Sequence, residues 1–143
     1  MFHGNPVITI IGNLVSDPDV RFTSGGHALA SFSVVTNDSK RGADGTYEDV
    51  DTSFWNCVAW RRVAENLAES DLHKGDKVIL VGTIRQENWE TKEGEKRSGY
   101  KVTADHIGPA LDYRTVAVRR PTQQGTKVEA DAFAAADDGE APF

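Results

Sequence analysis

Cysteine is nearly missing from this chain: Cys57 is the one thiol among 143 residues. A single thiol excludes an intramolecular disulfide, so packing alone must hold the fold, and a reducing, cytoplasmic setting is expected. Long apolar runs are missing too. Stretches such as VILV at 78–81 fall far short of the roughly 20 residues that span a bilayer. No N-terminal run pairs a basic segment with an apolar stretch and a small-residue cleavage site, so no leader is expected. The marks of chemistry are equally sparse. Histidines 3, 27, 73 and 106 stand with Cys57 at no zinc-ligand spacing. No glycine-rich phosphate loop precedes a helix, and no Ser-His-Asp or paired-carboxylate set stands out from the dispersed acids. The expectation is therefore no catalysis, no metal and no cofactor.

An excess of positive charge is the last absence. The chain has 16 basic and 22 acidic side chains, a formal charge of -6. Over the whole chain this argues against nucleic acid, whose affinity comes largely from neutralised phosphates. The distribution changes the reading. Residues 129–143 hold five acids (Glu129, Asp131, Asp137, Asp138, Glu140) and no base, which leaves 16 basic and 17 acidic side chains in residues 1–128. A near-neutral body must bind a polyanion through a local patch and through stacking.

What the chain does have is strand periodicity. VITIIGNLV (7–15) and DVRFT (19–23) read as one long strand bent at Asp17-Pro18. HALASFSVVTN (27–37) alternates, with Ala28, Ala30, Phe32 and Val34 on one face. DSKRGADGTYEDVD (38–51) reads as a long charged hairpin loop with ADGT at its tip, and TSFWNCVAW (52–60) as the next strand. RRVAENLAESDLH (61–73) has helical spacing at Val63, Ala64, Leu67 and Ala68, followed by KGD as a stop. KVILVGTIRQENWE (77–90) and RSGYKVTADHIG (97–108) form a last hairpin, and ALDYRTVAV (110–118) suits one further short strand. Five strands with the one helix between the third and fourth is the order of an OB-fold, an all-β, partly open barrel. From residue 120 the composition turns polar and aperiodic, so 1–119 is expected to be the folded domain and 120–143 a disordered linker and acidic tip.

Alternation also sorts the aromatics. Phe54, Asn56, Val58 and Trp60 share one side of the third strand, with Trp55, Cys57 and Ala59 opposite. In the fourth, Thr83, Arg85, Glu87 and Trp89 lie opposite the apolar Leu80, Gly82 and Ile84, so Arg85 and Trp89 face outward. Trp60 ends its strand, and its face stays open; Trp55 falls to the core or to a subunit interface. Aromatic platforms among a few cations suit single-stranded nucleic acid, because every base has a π-face. The candidate phosphate contacts are Arg21, Lys40, Arg41, Arg61, Arg62, Arg85, Lys96 and Arg97.

The stretches ITIIGNLVSDPDVRFTSGGHALASFSVVTN and FWNCVAWRRVAENLAESDLHKGDKVILVGTIRQENWETKEGEKR, together with the PF end, resemble the bacterial single-stranded DNA-binding proteins. DHIGPALDYRTVAV is similar to the high-GC Gram-positive form, whose chain continues into an additional interface strand. The resemblance implies a homotetramer that wraps single-stranded DNA in the nucleoid during replication, recombination and repair. It implies stacking by Phe54, Trp60 and Trp89, with Asn56 at an often basic position between the first two. Lys40 stands where another aromatic is common, and Glu87 and Asn88 where relatives are often basic; these departures point to weaker or more salt-sensitive wrapping. The tip resembles one that recruits helicases, nucleases and other genome-maintenance proteins. Asp137, Asp138 and Glu140 would meet a basic rim and Phe143 an apolar pocket, with Pro142 limiting the conformations lost on docking. The alternative is an OB-fold interaction adaptor whose DNA binding has weakened.

Overall fold

The structure is a computed structural model that describes residues 4–121. Its elements are β1 (Val7–Leu14), β2 (Asp19–Phe22), β3 (Ala28–Arg41), β4 (Tyr47–Trp60), α1 (Arg61–Glu69), β5 (Lys77–Glu90) and β6 (Lys96–Pro109). The sheet runs β1-β5-β6-β4-β3-β2, and a further pairing of β1 with β3 curls it into a barrel. This is an OB-fold, with its helix between the strands expected to flank it. β1 lies along β5 from Val7 to Asn13 and reaches β3 only at Asn13 and Leu14. Gly12 sits at that transfer: a Cβ there would lie 2.4 Å from the Val35 carbonyl oxygen, so only glycine lets the two backbones approach.

The core is formed by the alternation read from the sequence. Ala28, Ala30, Phe32 and Val34 of β3 are buried with Cys57 and Ala59 of β4, Val78 and Leu80 of β5, and Val102 and Ala104 of β6. Helix α1 covers one end of the barrel with Ala64 and Leu67. β4 and β6 are parallel and share register only at Cys57–Val102 and Val58–Thr103. Beyond that short seam they part, which leaves the barrel open on one side.

Four expectations change. The bent first strand is two strands, because after the Val15 N–H bonds to the Ser33 carbonyl residues 16–18 leave the ladder, and β2 then pairs with β3 alone. The charged segment 38–51 is strand, not loop. β3 and β4 stay paired out to Arg41–Tyr47, and the turn is only residues 42–46, closed by hydrogen bonds from the Thr46 N–H and hydroxyl to Asp44 Oδ1. Charges on both faces of a projecting ribbon hide the period that marks a half-buried strand. The helix ends at Glu69, where the Ser70 hydroxyl donates to the Asn66 carbonyl at 2.6 Å and competes with continued winding.

Residues 110–118 form no strand. The segment is pinned by groups along its length: the Ala110 N–H donates to the Lys77 carbonyl, and Asp112 meets Lys77 Nζ at 2.5 Å. Arg114 lies 3.7 Å from Asp76, and Arg119 donates to the Glu69 carbonyl.

Candidate nucleic-acid interface

The outer face of the barrel can be built row by row from the strand registers. Leu29 stands opposite Trp60, Ser33 opposite Asn56 and Val35 opposite Phe54. Across the β5–β6 hairpin, Arg85 faces Lys101, Glu87 faces Gly99 and Trp89 faces Arg97. The opening between β4 and β6 joins these rows in a groove of about 860 Å³, lined by Ser33, Asn56, Arg85, Glu87, Trp89 and Lys101 among others.

The three expected platforms are outward. Phe54 is 64% exposed, Trp60 44% and Trp89 49%. Trp55, one residue from Phe54, lies on the other side. It packs against the core, and its indole N–H donates to the Thr36 hydroxyl at 3.0 Å. Trp60 is the last residue of β4, and Arg61 turns the chain straight into α1 with φ at 55°. Among the described residues it is the one non-glycine in that left-handed region, at a cost of order 1–3 kcal/mol. Trp60 is thus fixed by an abrupt strand-to-helix corner. Trp89 has a different support. Its ring lies over Gly99, where a Cβ would come within 3.1 Å of it.

The candidate cations divide. Arg85 lines the groove, 3.7 Å from Glu87. Arg97 stands at its rim beside Trp89, bonded to Glu95 at 3.0 Å. Arg21 lies in the row of Leu29 and Trp60, bonded to Asp19 at 2.9 Å. Arg61 and Arg62 open α1 beside Trp60, and Lys96 faces Glu90 near the hairpin turn. Lys40 and Arg41 stand apart on the β3–β4 ribbon, opposite Glu48 and Tyr47. Asn56 holds the groove floor, accepting a hydrogen bond from the Ser33 hydroxyl at 3.0 Å.

Lys101 and Tyr100 of the groove were not singled out from the sequence. Lys101 stands 3.7 Å from Glu87, and counting the register across the 91–95 turn from Trp89 would have put it beside Arg85. Tyr100, 63% exposed, belongs to the opposite face of β6 and lines the groove only because β4 and β6 part there; nothing in strand parity signals that. Cys57 lies under the floor, and burial pushes its thiol up to about 12. Asp137, Asp138, Glu140, Pro142 and Phe143 lie outside the described residues. Among the described residues no cluster of ligands suited to a metal occurs, and no helix is long and apolar enough to cross a membrane.

Over 123 residues the chain is 42% identical to the single-stranded DNA-binding protein of Mycolicibacterium smegmatis, covering 85% of this chain and 74% of that one. Identity is also 42% over 123 residues to the single-stranded DNA-binding protein of Corynebacterium glutamicum, covering 85% and 54%. The crystal structure of the small single-stranded DNA-binding protein from Streptomyces coelicolor superposes with a TM-score of 0.65 at 24% identity, over 76% of this chain and 96% of that one, a likeness of fold. Residues 6–110 match the Single-strand binding protein family, a family of binding proteins and not of enzymes, and the chain belongs to it.

Proposed function

We propose that the protein binds single-stranded DNA without sequence preference, stacking bases on Phe54, Trp60 and Trp89 and holding phosphates with the cations around them. The observation that carries this reading is the exposure of those three rings on one face while Trp55 packs on the other. Stacking contributes roughly 1–3 kcal/mol per base and tolerates any base, which a near-neutral body requires. Titration of labelled oligo-dT against a duplex of equal length tests it: strong preference for oligo-dT is expected, and equal affinity would sink the reading.

Around that activity we place a homotetramer acting in replication, recombination and repair at the nucleoid. Self-association is supported by Val7, Ile11 and Ile79, which form an exposed apolar face on the paired strands β1 and β5. Solution mass with and without long oligo-dT reports assembly and binding together. Residues 1–119 act as the binding and assembly domain, and 120–143 as linker and recruiting tip. Removing Asp137 to Phe143 should leave DNA affinity equal or slightly higher while capture of helicases and nucleases fails; lower DNA affinity would contradict this role.

A second reading, an interaction adaptor with weakened DNA binding, is favoured by the carboxylates beside Arg21, Arg85 and Arg97. A pull-down with and without the tip, repeated after nuclease treatment, separates the two: partners retained by a body that does not bind oligo-dT favour the adaptor.

A further inference from the structure

Within the groove one side chain opposes the task assigned to its neighbours. Glu87 lies between Arg85 and Trp89 on the outward face of β5, and its partner across the hairpin is Gly99, which has no side chain to cover it. Its two oxygens reach different cations. Oε1 is 3.7 Å from Arg85 Nη2, and Oε2 is 3.7 Å from Lys101 Nζ. Both distances exceed the 2.7–3.2 Å usual for an N–H···O hydrogen bond, so the carboxylate balances the two charges without locking either. Two oxygens of one anion, shared between an arginine and a lysine in an open groove beside a stacking ring, is also the arrangement a backbone phosphate would adopt there.

We propose that Glu87 is a built-in competitor for DNA phosphate, occupying the Arg85–Lys101 pair until the strand displaces it. The proposal rests on the single-stranded DNA reading above and adds a specific consequence. The strand must give up the attraction between Glu87 and the two cations before it gains its own, and the carboxylate repels the incoming phosphate. The groove is thereby tuned to weaker binding than its count of cations implies. Stacking on Trp89 and phosphate binding at Arg85 and Lys101 are coupled through this residue, because a strand that stacks correctly brings its phosphate to the place the carboxylate must leave.

The test is Glu87→Gln, which keeps shape and removes charge. Oligo-dT affinity should rise at least about threefold at low salt, while the slope of log affinity against log salt should change by less than about 0.7, the value for one phosphate on a single strand, because both proteins bind the same phosphates. Asp71→Asn, which removes one negative charge on the second groove beside α1, should not raise affinity to that extent. Adding Lys101→Met to Glu87→Gln should abolish most of the gain, and equal melting temperatures of Glu87→Gln and wild type confirm an intact fold. Unchanged or weaker binding by Glu87→Gln overturns the proposal, as does a gain that survives Lys101→Met in full. Failure of the wild type itself to prefer oligo-dT over duplex would instead overturn the reading beneath it.

Discussion

The hairpins β3–β4 and β5–β6 are built alike, each from two paired 14-residue strands, and differ in what their far ends carry. Residues 38–51 of the first hold Asp38, Asp44, Glu48, Asp49 and Asp51 against Lys40 and Arg41. Asp38 even stands directly opposite Asp51, a like-charge pairing that destabilises a ladder. The corresponding part of the second, residues 85–101, holds five cations against four acids, with Trp89 over Gly99. Equal length and pairing therefore carry a net charge of -3 on one arm, two cations against five acids, and of +1 on the other, five cations against four acids. Side-chain allocation, not backbone architecture, separates the two.

The largest effect expected tests the frame that both arms share. Trp55→Ala should cost roughly 3 kcal/mol of stability, at the lower end of the range for a large core aromatic because the ring is only half-buried; chemical denaturation measures it. Phe54→Ala, on the other side of the same strand, should leave stability nearly unchanged and weaken DNA binding. If the two results were reversed, the outward face would be assigned wrongly.

The next effect compares the arms directly. Trp89→Ala should weaken oligo-dT binding by about 1–3 kcal/mol with the fold intact, whereas Tyr47→Ala at the tip of the β3–β4 ribbon should change it little. Tyr47 is as exposed as any platform, 71%, but stands among carboxylates. A comparable loss from Tyr47→Ala would return the ribbon to the binding surface and erase the distinction.

A smaller effect concerns the cations. Arg85→Ala should weaken binding more than the double change Lys40→Ala and Arg41→Ala, and titrations at several salt concentrations will rank them. Arg85 shares its groove with Lys101 and Trp89, whereas on the ribbon the charge around Lys40 and Arg41 is acidic. A greater loss from the ribbon double variant would show that DNA follows the first hairpin despite its charge.

How far these features were legible in the sequence depends on which forces set them. Burial sets the period of Ala28, Ala30, Phe32 and Val34, and of Val78 and Leu80, so those strands and the outward turn of Phe54 and Trp89 can be read residue by residue. Where nothing is buried, the period vanishes: the ribbon at 38–51 looks like a loop because backbone pairing alone makes it strand. Arg61 in the left-handed region carries no signal, since a local code would place glycine there. Lys101 required the cross-strand register, and Tyr100 required the parting of β4 and β6, which is a property of barrel closure and not of any one segment. The release of 110–118 from a strand pattern has the same origin, because its β-branched and aromatic residues find no strand of this chain to pair with.

The smallest effect contrasts two exposed aspartates, one on the barrel and one on the ribbon. Asp17 is held below its ordinary value near 3.8 chiefly by the Lys74 backbone N–H, which donates to it at 2.8 Å, and also by His73 at 3.5 Å. Asp44 is held below the same value by the hydroxyl and then the N–H of Thr46. A carboxyl whose folded pKa is depressed stabilises the fold above its unfolded value and loses that contribution as pH falls through the folded one. Melting temperature should therefore fall as pH drops below about 4. Asp17 ties together residues 57 positions apart in the chain, so Asp17→Asn should lower the melting temperature at pH 7 and flatten its decline in acid. Asp44 bonds only to a residue two positions away, in a turn that projects from the barrel, so Asp44→Asn should leave the melting curve nearly unmoved and appear as faster amide exchange at residues 42–46. Equal effects of the two changes on melting would mean that the ribbon tip is part of the cooperative fold, and that the two arms differ in charge but not in how firmly each is joined to the barrel.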